Sequence, residues 1–210
     1  MQACKPSAGA GRILRRQAGG AAVEFALVVL IFLTLIFGTM ELARAMYICN
    51  TLQEVTRRAA ALAANADFSD ADAMDRVRAQ AVFRTSPGFL MFAQPVTDAH
   101  IKIDYLAVTP GGAGLVTMPI SAGSLPANPE HNQEICTGDP NSADCIRLVR
   151  VRVCLPGSGA GCDPVPYQSI VSLVPIPFPL PLATTIVTAE TLGRSAGLPP
   201  SPPPPTPCGC

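Results

Sequence analysis

The sequence predicts an α+β fold: a long N-terminal transmembrane helix runs into a small exported head with a short second helix and an approximately three-stranded antiparallel sheet, and a disordered proline-rich tail follows. Three observations predict it. An apolar run, AAVEFALVVLIFLTLIFGTM, covers Ala21 to Met40. Apolar residues then recur at helical spacing as far as the sixties, and beyond His100 the period falls to two. Finally, seven of the ten residues from Leu198 to Pro207 are proline. The expected boundaries are a basic leader over 1–19, the helix with its extension over 20–65, the head over 66–195 and the tail over 196–210.

The apolar run has about the 20 residues needed to cross a hydrocarbon layer of about 30 Å. One acid, Glu24, interrupts it near its entry end. A carboxylate inside such a helix costs up to about 3.5 kcal/mol and is normally paired. Lys5, Arg12, Arg15 and Arg16 precede the run with no acid among them, and Glu41 follows it. The excess of positive charge puts the N-terminus in the cytoplasm and everything after Met40 outside. A cleavable secretory signal would have a shorter apolar core with a small-x-small site after it. Here the small residues, Ala18-Gly19-Gly20, come before the core.

After the run, Leu42, Met46, Cys49, Leu52, Val55, Ala59 and Leu62 form one stripe at spacings of three and four. Packing on the chain's own head and an inter-subunit seam both fit that stripe. Glu41 with Arg44, and Glu54 with Arg57 and Arg58, supply pairs for an exposed face. Asn65 to Phe68 breaks the pattern, and Ser69-Asp70-Ala71-Asp72 has the residues of an N-cap and acidic first turn. A second helix carrying Met74, Val77, Ala81 and Val82 then runs until Ser86-Pro87-Gly88.

Alternation over His100–Val108 and Arg147–Val153 predicts two half-buried strands, and the Thr/Val/Ile-rich segment Leu182–Thr191 a third. The connections 109–144 and 155–181 are long for a compact domain, which marks them as functional or mobile. Trp is absent and 22 of 210 residues are proline, so the core is small.

Cys136, Cys145, Cys154 and Cys162 fall in the exported region, where disulfides persist. Four cysteines allow three pairings. Cys136 with Cys145 and Cys154 with Cys162 are preferred because each closes a short loop. Cys49 reads as a packing residue. The tail ends in Cys208-Gly209-Cys210, open to a local or an intermolecular bridge at the end of a stiff polyproline spacer.

No cofactor, metal or catalytic group is expected. Cysteine spacings do not match a zinc site, and only His100 and His131 could join one. Gly111-Gly112-Ala113-Gly114 lacks the lysine of a phosphate loop and reads as a turn. Asp139, Asn141 and Asp144 lack the glycine and glutamate of an EF-hand. Removing the four leader cations leaves eleven basic residues against fifteen acids, a net charge of −4. A nucleic-acid partner is not expected, since the one downstream basic cluster, Arg147, Arg150 and Arg152, lies in a strand that faces possible acidic neighbours.

The order of basic leader, Gly19, Glu24, Phe25 and long apolar helix resembles the type IV prepilin processing site. More narrowly, it is similar to the TadE-like minor pseudopilins of tight-adherence (Flp) pilus systems, as is the continuation FGTMELARAMYICNTLQEVTRRAAALAA. The resemblance covers residues 12 to about 65. It implies cleavage after Gly19 by a prepilin peptidase at the cytoplasmic face, with Gly20 the new first residue. It also implies partnership with other pilins, pseudopilins and inner-membrane assembly proteins, and an α+β head in the periplasm. Cleavage after Gly20 is the competing register. The new amine on Gly20 would stand four residues, one helical turn, from Glu24, and such a charge offsets the cost of burying the carboxylate. The competing functional reading is an uncleaved single-pass anchor that presents a small binding domain.

Overall fold

In the computed structural model, residues 14–112, 114–159, 161–170, 178–189 and 191–193 are described. Most of the basic leader, residues 171–177 and the proline tail with Cys208 and Cys210 lie outside these. Two compact units divide the chain between Met46 and Tyr47, and Ser169 and Ile170 fall with the first.

The first unit is built on helix α1, Leu14–Ala63, which runs unbroken through Gly19 and Gly20. Its apolar side chains point outward: Phe25 is 71% exposed, Leu35 64% and Met40 62%. The helix is long and apolar enough to cross a membrane and fits a single-pass anchor. Two expectations fail just beyond Met40. Leu42 and Met46, assigned to the buried stripe, are exposed, while Glu41, assigned to the exposed face, is buried. Arg44 supports Glu41 at 3.5 Å and the Ile170 N–H donates to its Oε1 at 3.0 Å. A bound carboxylate can be buried where a free one cannot. The buried positions are therefore Glu41, Ala45, Ile48, Leu52, Val55 and Ala59. This register is also spaced by threes and fours, so periodicity alone could not choose between the two.

The second unit is the head. Within it α1 buries Ile48, Leu52, Val55, Ala59, Ala60 and Ala63, and Thr56 meets Thr185 of the sheet at 2.9 Å. Helix α2, Ala71–Ala81, starts at Asp70, whose side chain caps the Asp72 N–H. It ends short of the expected Ser86 because Phe83 takes a left-handed backbone, φ 60°. Met74, Val77, Ala81 and Val82 are all buried. The Tyr105 hydroxyl donates to Met74 Sδ at 3.6 Å, and its ring lies 5.4 Å from that of Phe68. Burial also raises the pKa of this hydroxyl well above its ordinary value.

The sheet has four strands rather than three: β1 Ile101–Gly111, β2 Gly114–Pro119, β3 Leu148–Val153 and β4 Thr184–Thr188. All pairs are antiparallel, in the order β2-β1-β3-β4. The unexpected strand β2 is a hairpin return from the glycine turn, in which Gly111 pairs with Gly114 at φ 140°. All six of its residues are exposed, so it lacks the alternation that marks a half-buried strand. The 109–144 connection also holds helix α3, Pro129–Gly138, capped by the Asn128 side chain on the His131 N–H.

Cys136 is bonded to Cys145, which pins α3, and Cys154 to Cys162, which closes the loop after β3. Buried Asn132 of α3 exchanges hydrogen bonds with the Ile146 backbone, accepting at 2.8 Å and donating at 3.4 Å. Lys102 donates to the carbonyls of Gly159 and Gly161 in the loop that Cys154 and Cys162 enclose. The segment after β4 meets the turn that follows α1: Thr191 donates to Asn65 Oδ1 at 2.6 Å, and the Gly193 N–H to the Ala66 carbonyl at 3.2 Å.

Candidate functional site

The candidate site lies on the first turns of α1. Gly19 and Gly20 are helical, and the space a Cβ would take at Gly20 is empty. Helical geometry puts Gly20 and Glu24 one above the other on a single face, the positions of an i, i+4 pair. Glu24 is exposed, and among the described residues no ion pair includes it. Phe25, beside it, projects its ring outward. Such a helix offers an outside partner one carboxylate in an otherwise apolar surface.

Residues 19–61 match the family model of the TadE-like proteins. This segment is TadE-like. The match points to Tad pilus assembly, and it stays within α1, taking in Gly19, Gly20, Glu24 and Phe25. No curated protein and no solved structure matches the chain. The TadE-like segment thus accounts for the helix, and the head has to be read from its own geometry.

In the head, the other residues singled out from the sequence have structural roles. The four exported cysteines form the two disulfides already described. His100 is buried and its Nδ1 receives the Thr97 N–H at 3.0 Å. Burial lowers its pKa, against the attraction of Asp98 and the bond to Thr97. The His131 backbone N–H lies in the cap of α3, and Asp139 accepts from the Asn141 N–H at 2.9 Å in a local turn. Among the described residues no group of three or more His, Cys, Asp or Glu could hold a metal. Arg150 and Arg152 both converge on Asp104 Oδ2, at 3.1 and 2.6 Å, across the β1–β3 ladder.

Sequence reasoning missed a groove of about 520 Å³ lined by Tyr47, Phe83, Phe89 and Met91 among others. The run FRTSPGFLMF, with five large apolar residues around a Ser-Pro-Gly turn, was the available signal. In the sequence its turn residues mark a helix stop, and the flanking aromatics show no period that assigns them to a face.

Proposed function

We propose that the chain is a non-enzymatic minor pseudopilin that takes part in assembling a tight-adherence (Flp) pilus, or a related secretion machine, at the bacterial inner membrane. A prepilin peptidase cuts after Gly19. The new α-amine of Gly20 then lies one turn from Glu24 and neutralises it, either on the same helix or across to a neighbouring pilin. The N-terminus faces the cytoplasm and the head the periplasm, a placement supported by the basic leader and the two disulfides of the head.

The observation that carries this reading is the position of Glu24, exposed on an apolar helix, four residues after Gly20 and inside the TadE-like segment. A buried carboxylate with no partner would oppose membrane insertion. One with a cationic partner gives neighbouring helices a fixed axial register.

Changing Glu24 to Ala tests the role. Cleavage should persist, because the scissile bond is untouched, while recovery of the protein in complexes with partner pilins should fall. Unaltered recovery of those complexes contradicts the pairing account.

A further inference from the structure

We propose that the groove lined by Tyr47, Phe83, Phe89 and Met91 is the seat of the chain's own proline-rich tail: Leu198 to Pro207 lies in it as an extended polyproline II segment, with proline rings against the aromatic side chains. The groove belongs wholly to the head, and so does the point from which the tail departs.

The first argument is reach. The last described residues before the tail are tied to the turn after α1, Thr191 to Asn65 and Gly193 to Ala66. Asn65, whose N–H still bonds back to the Leu62 carbonyl at 3.2 Å, continues the helical face of Tyr47, Thr51, Glu54 and Arg58, since these residues follow one another at spacings of three, four and seven. Tyr47, Glu54, Arg58 and Ala61 are exposed along that face, so an open track joins the point of departure to the groove. From Asn65 the distance back to Glu54 is about 16 Å and to Tyr47 about 27 Å, at about 1.5 Å per residue. The link Arg194 to Gly197 extends to about 14 Å, and Leu198 to Pro207 adds about 31 Å as polyproline II. The tail is long enough to reach the groove and to fill it.

The second argument is chemistry. Tyr47, Phe83, Phe89 and Met91 are 45, 50, 53 and 69% exposed, an apolar cluster of the kind that marks an interaction surface. Aromatic-lined grooves take polyproline II segments, which are extended before they bind and so lose little conformational entropy. Proline has no N–H, so such a segment brings carbonyls that need donors. The Asn50 amide and the Arg84 guanidinium lie in the lining, and both donate. Arg84 folds back over the Ser86-Pro87-Gly88 turn, where a Cβ on residue 88 would come within 2.8 Å of its Nε; glycine leaves the guanidinium its place. No residue from Leu198 to Pro207 is charged, which suits a lining whose acid, Glu54, is balanced by Arg84.

The third argument is that the seat is preformed and its occupant tethered. The Leu90 N–H donates to the Val96 carbonyl at 2.9 Å, Val96 N–H to Ala93 at 2.9 Å and Ala93 N–H to Leu90 at 3.1 Å. The Gly88 N–H donates to Asp98 Oδ1 at 2.7 Å, and the Arg58 guanidinium lies 5.1 Å from the Phe83 ring centroid. These contacts hold the wall in place without the tail. A short link to such a wall gives the tail a roughly millimolar effective concentration, so weak contacts are enough to keep the groove filled.

The natural chain has no tryptophan, so a single introduced one reports its own surroundings. Full-length Phe89→Trp is compared in detergent with the same chain in which Pro202, Pro203, Pro204 and Pro205 are all changed to Ser, which keeps the tail's length and removes its rings. The expected result is a bluer emission with the natural tail and acrylamide quenching lower by about twofold or more, because a segment tethered at millimolar effective concentration fills a site of submillimolar Kd more than half the time. That protection should not change on dilution, and the peptide LPPSPPPPTP, added to the Ser-tailed chain at about 1 mM, should restore it. Equal emission and equal quenching with the two tails overturn the proposal: water-like emission then means an open groove, and blue emission means that another occupant fills it. Protection that is lost on dilution overturns it as well, since the tail then comes from a second copy. A peptide that fails to protect the Ser-tailed chain also contradicts it, because the proline changes then act elsewhere than in the groove.

Discussion

Helix α1 changes its environment partway along. From Phe25 to Tyr47 its large apolar side chains are mostly exposed, and from Ile48 to Ala63 the apolar stripe is buried. One secondary structure thus carries two kinds of apolar surface. The upstream half has the exposed apolar surface that fits a single-pass membrane anchor, and the downstream half supplies core to the head. Both are apolar and both are helical, so the difference rests on which positions carry bulk. Upstream, large side chains lie all round the helix. Downstream, Gln53, Glu54, Arg57 and Arg58 occupy the exposed face opposite a stripe narrowed to Ala59, Ala60 and Ala63.

The same substitution in the two halves should break this symmetry most clearly. Leu52→Ala removes a fully buried side chain and should destabilise the head by about 2–5 kcal/mol, read by denaturant unfolding of the full chain in detergent. Leu35→Ala, at an exposed position of the span, should leave that transition within about 0.5 kcal/mol of the parent. Equal losses from both would mean that the whole of α1 is core.

The second test removes the disulfide between Cys154 and Cys162. Replacing Cys154 and Cys162 together by Ser should cost about 2–4 kcal/mol in the same unfolding assay and free the loop whose carbonyls hold Lys102. Insertion of α1, followed by membrane fractionation, should not change. A smaller effect is expected from Asp104→Asn, which leaves Arg150 and Arg152 without their shared anion in a half-buried setting and should lower head stability by about 1–3 kcal/mol.

The smallest effect is a pH dependence. Burial holds the pKa of His100 below its ordinary 6.5, so the unfolded chain takes up a proton before the folded one. The resulting stability is fully present above pH 6.5 and is lost as the pH falls towards and through the folded value. Unfolding midpoints measured across that window should decline on acidification, and His100→Gln should flatten the decline.

Much of this was legible in the sequence. The end of α1 near Ala63, the N-cap at Asp70 and the central strands β1 and β3 follow from caps and periods that local physics enforces, whereas the start of α1 at Leu14, inside the expected leader, does not. Cys136–Cys145 and Cys154–Cys162 followed from loop length. Strand β2 was hidden because an edge strand with both faces exposed has no alternation to display. Helix α3 was hidden in a connection rich in Pro, Gly and Asn, even though Asn128-Pro129 is itself a helix start. The register of the α1 stripe failed at Glu41, because a carboxylate reads as exposed until the backbone that satisfies it, Ile170, is known. Phe83 and Phe92 both adopt left-handed backbone, φ 60° and 58°, a conformation that composition gives no reason to expect of bulky residues.

The central claim is that proteolysis supplies the charge partner of Glu24. The mature N-terminus, read by intact mass from cells with and without active prepilin peptidase, tests it most directly. The account predicts a product that begins at Gly20 when the peptidase is active and full-length chain when it is not. Full-length chain that retains Met1 in the presence of active peptidase would contradict it.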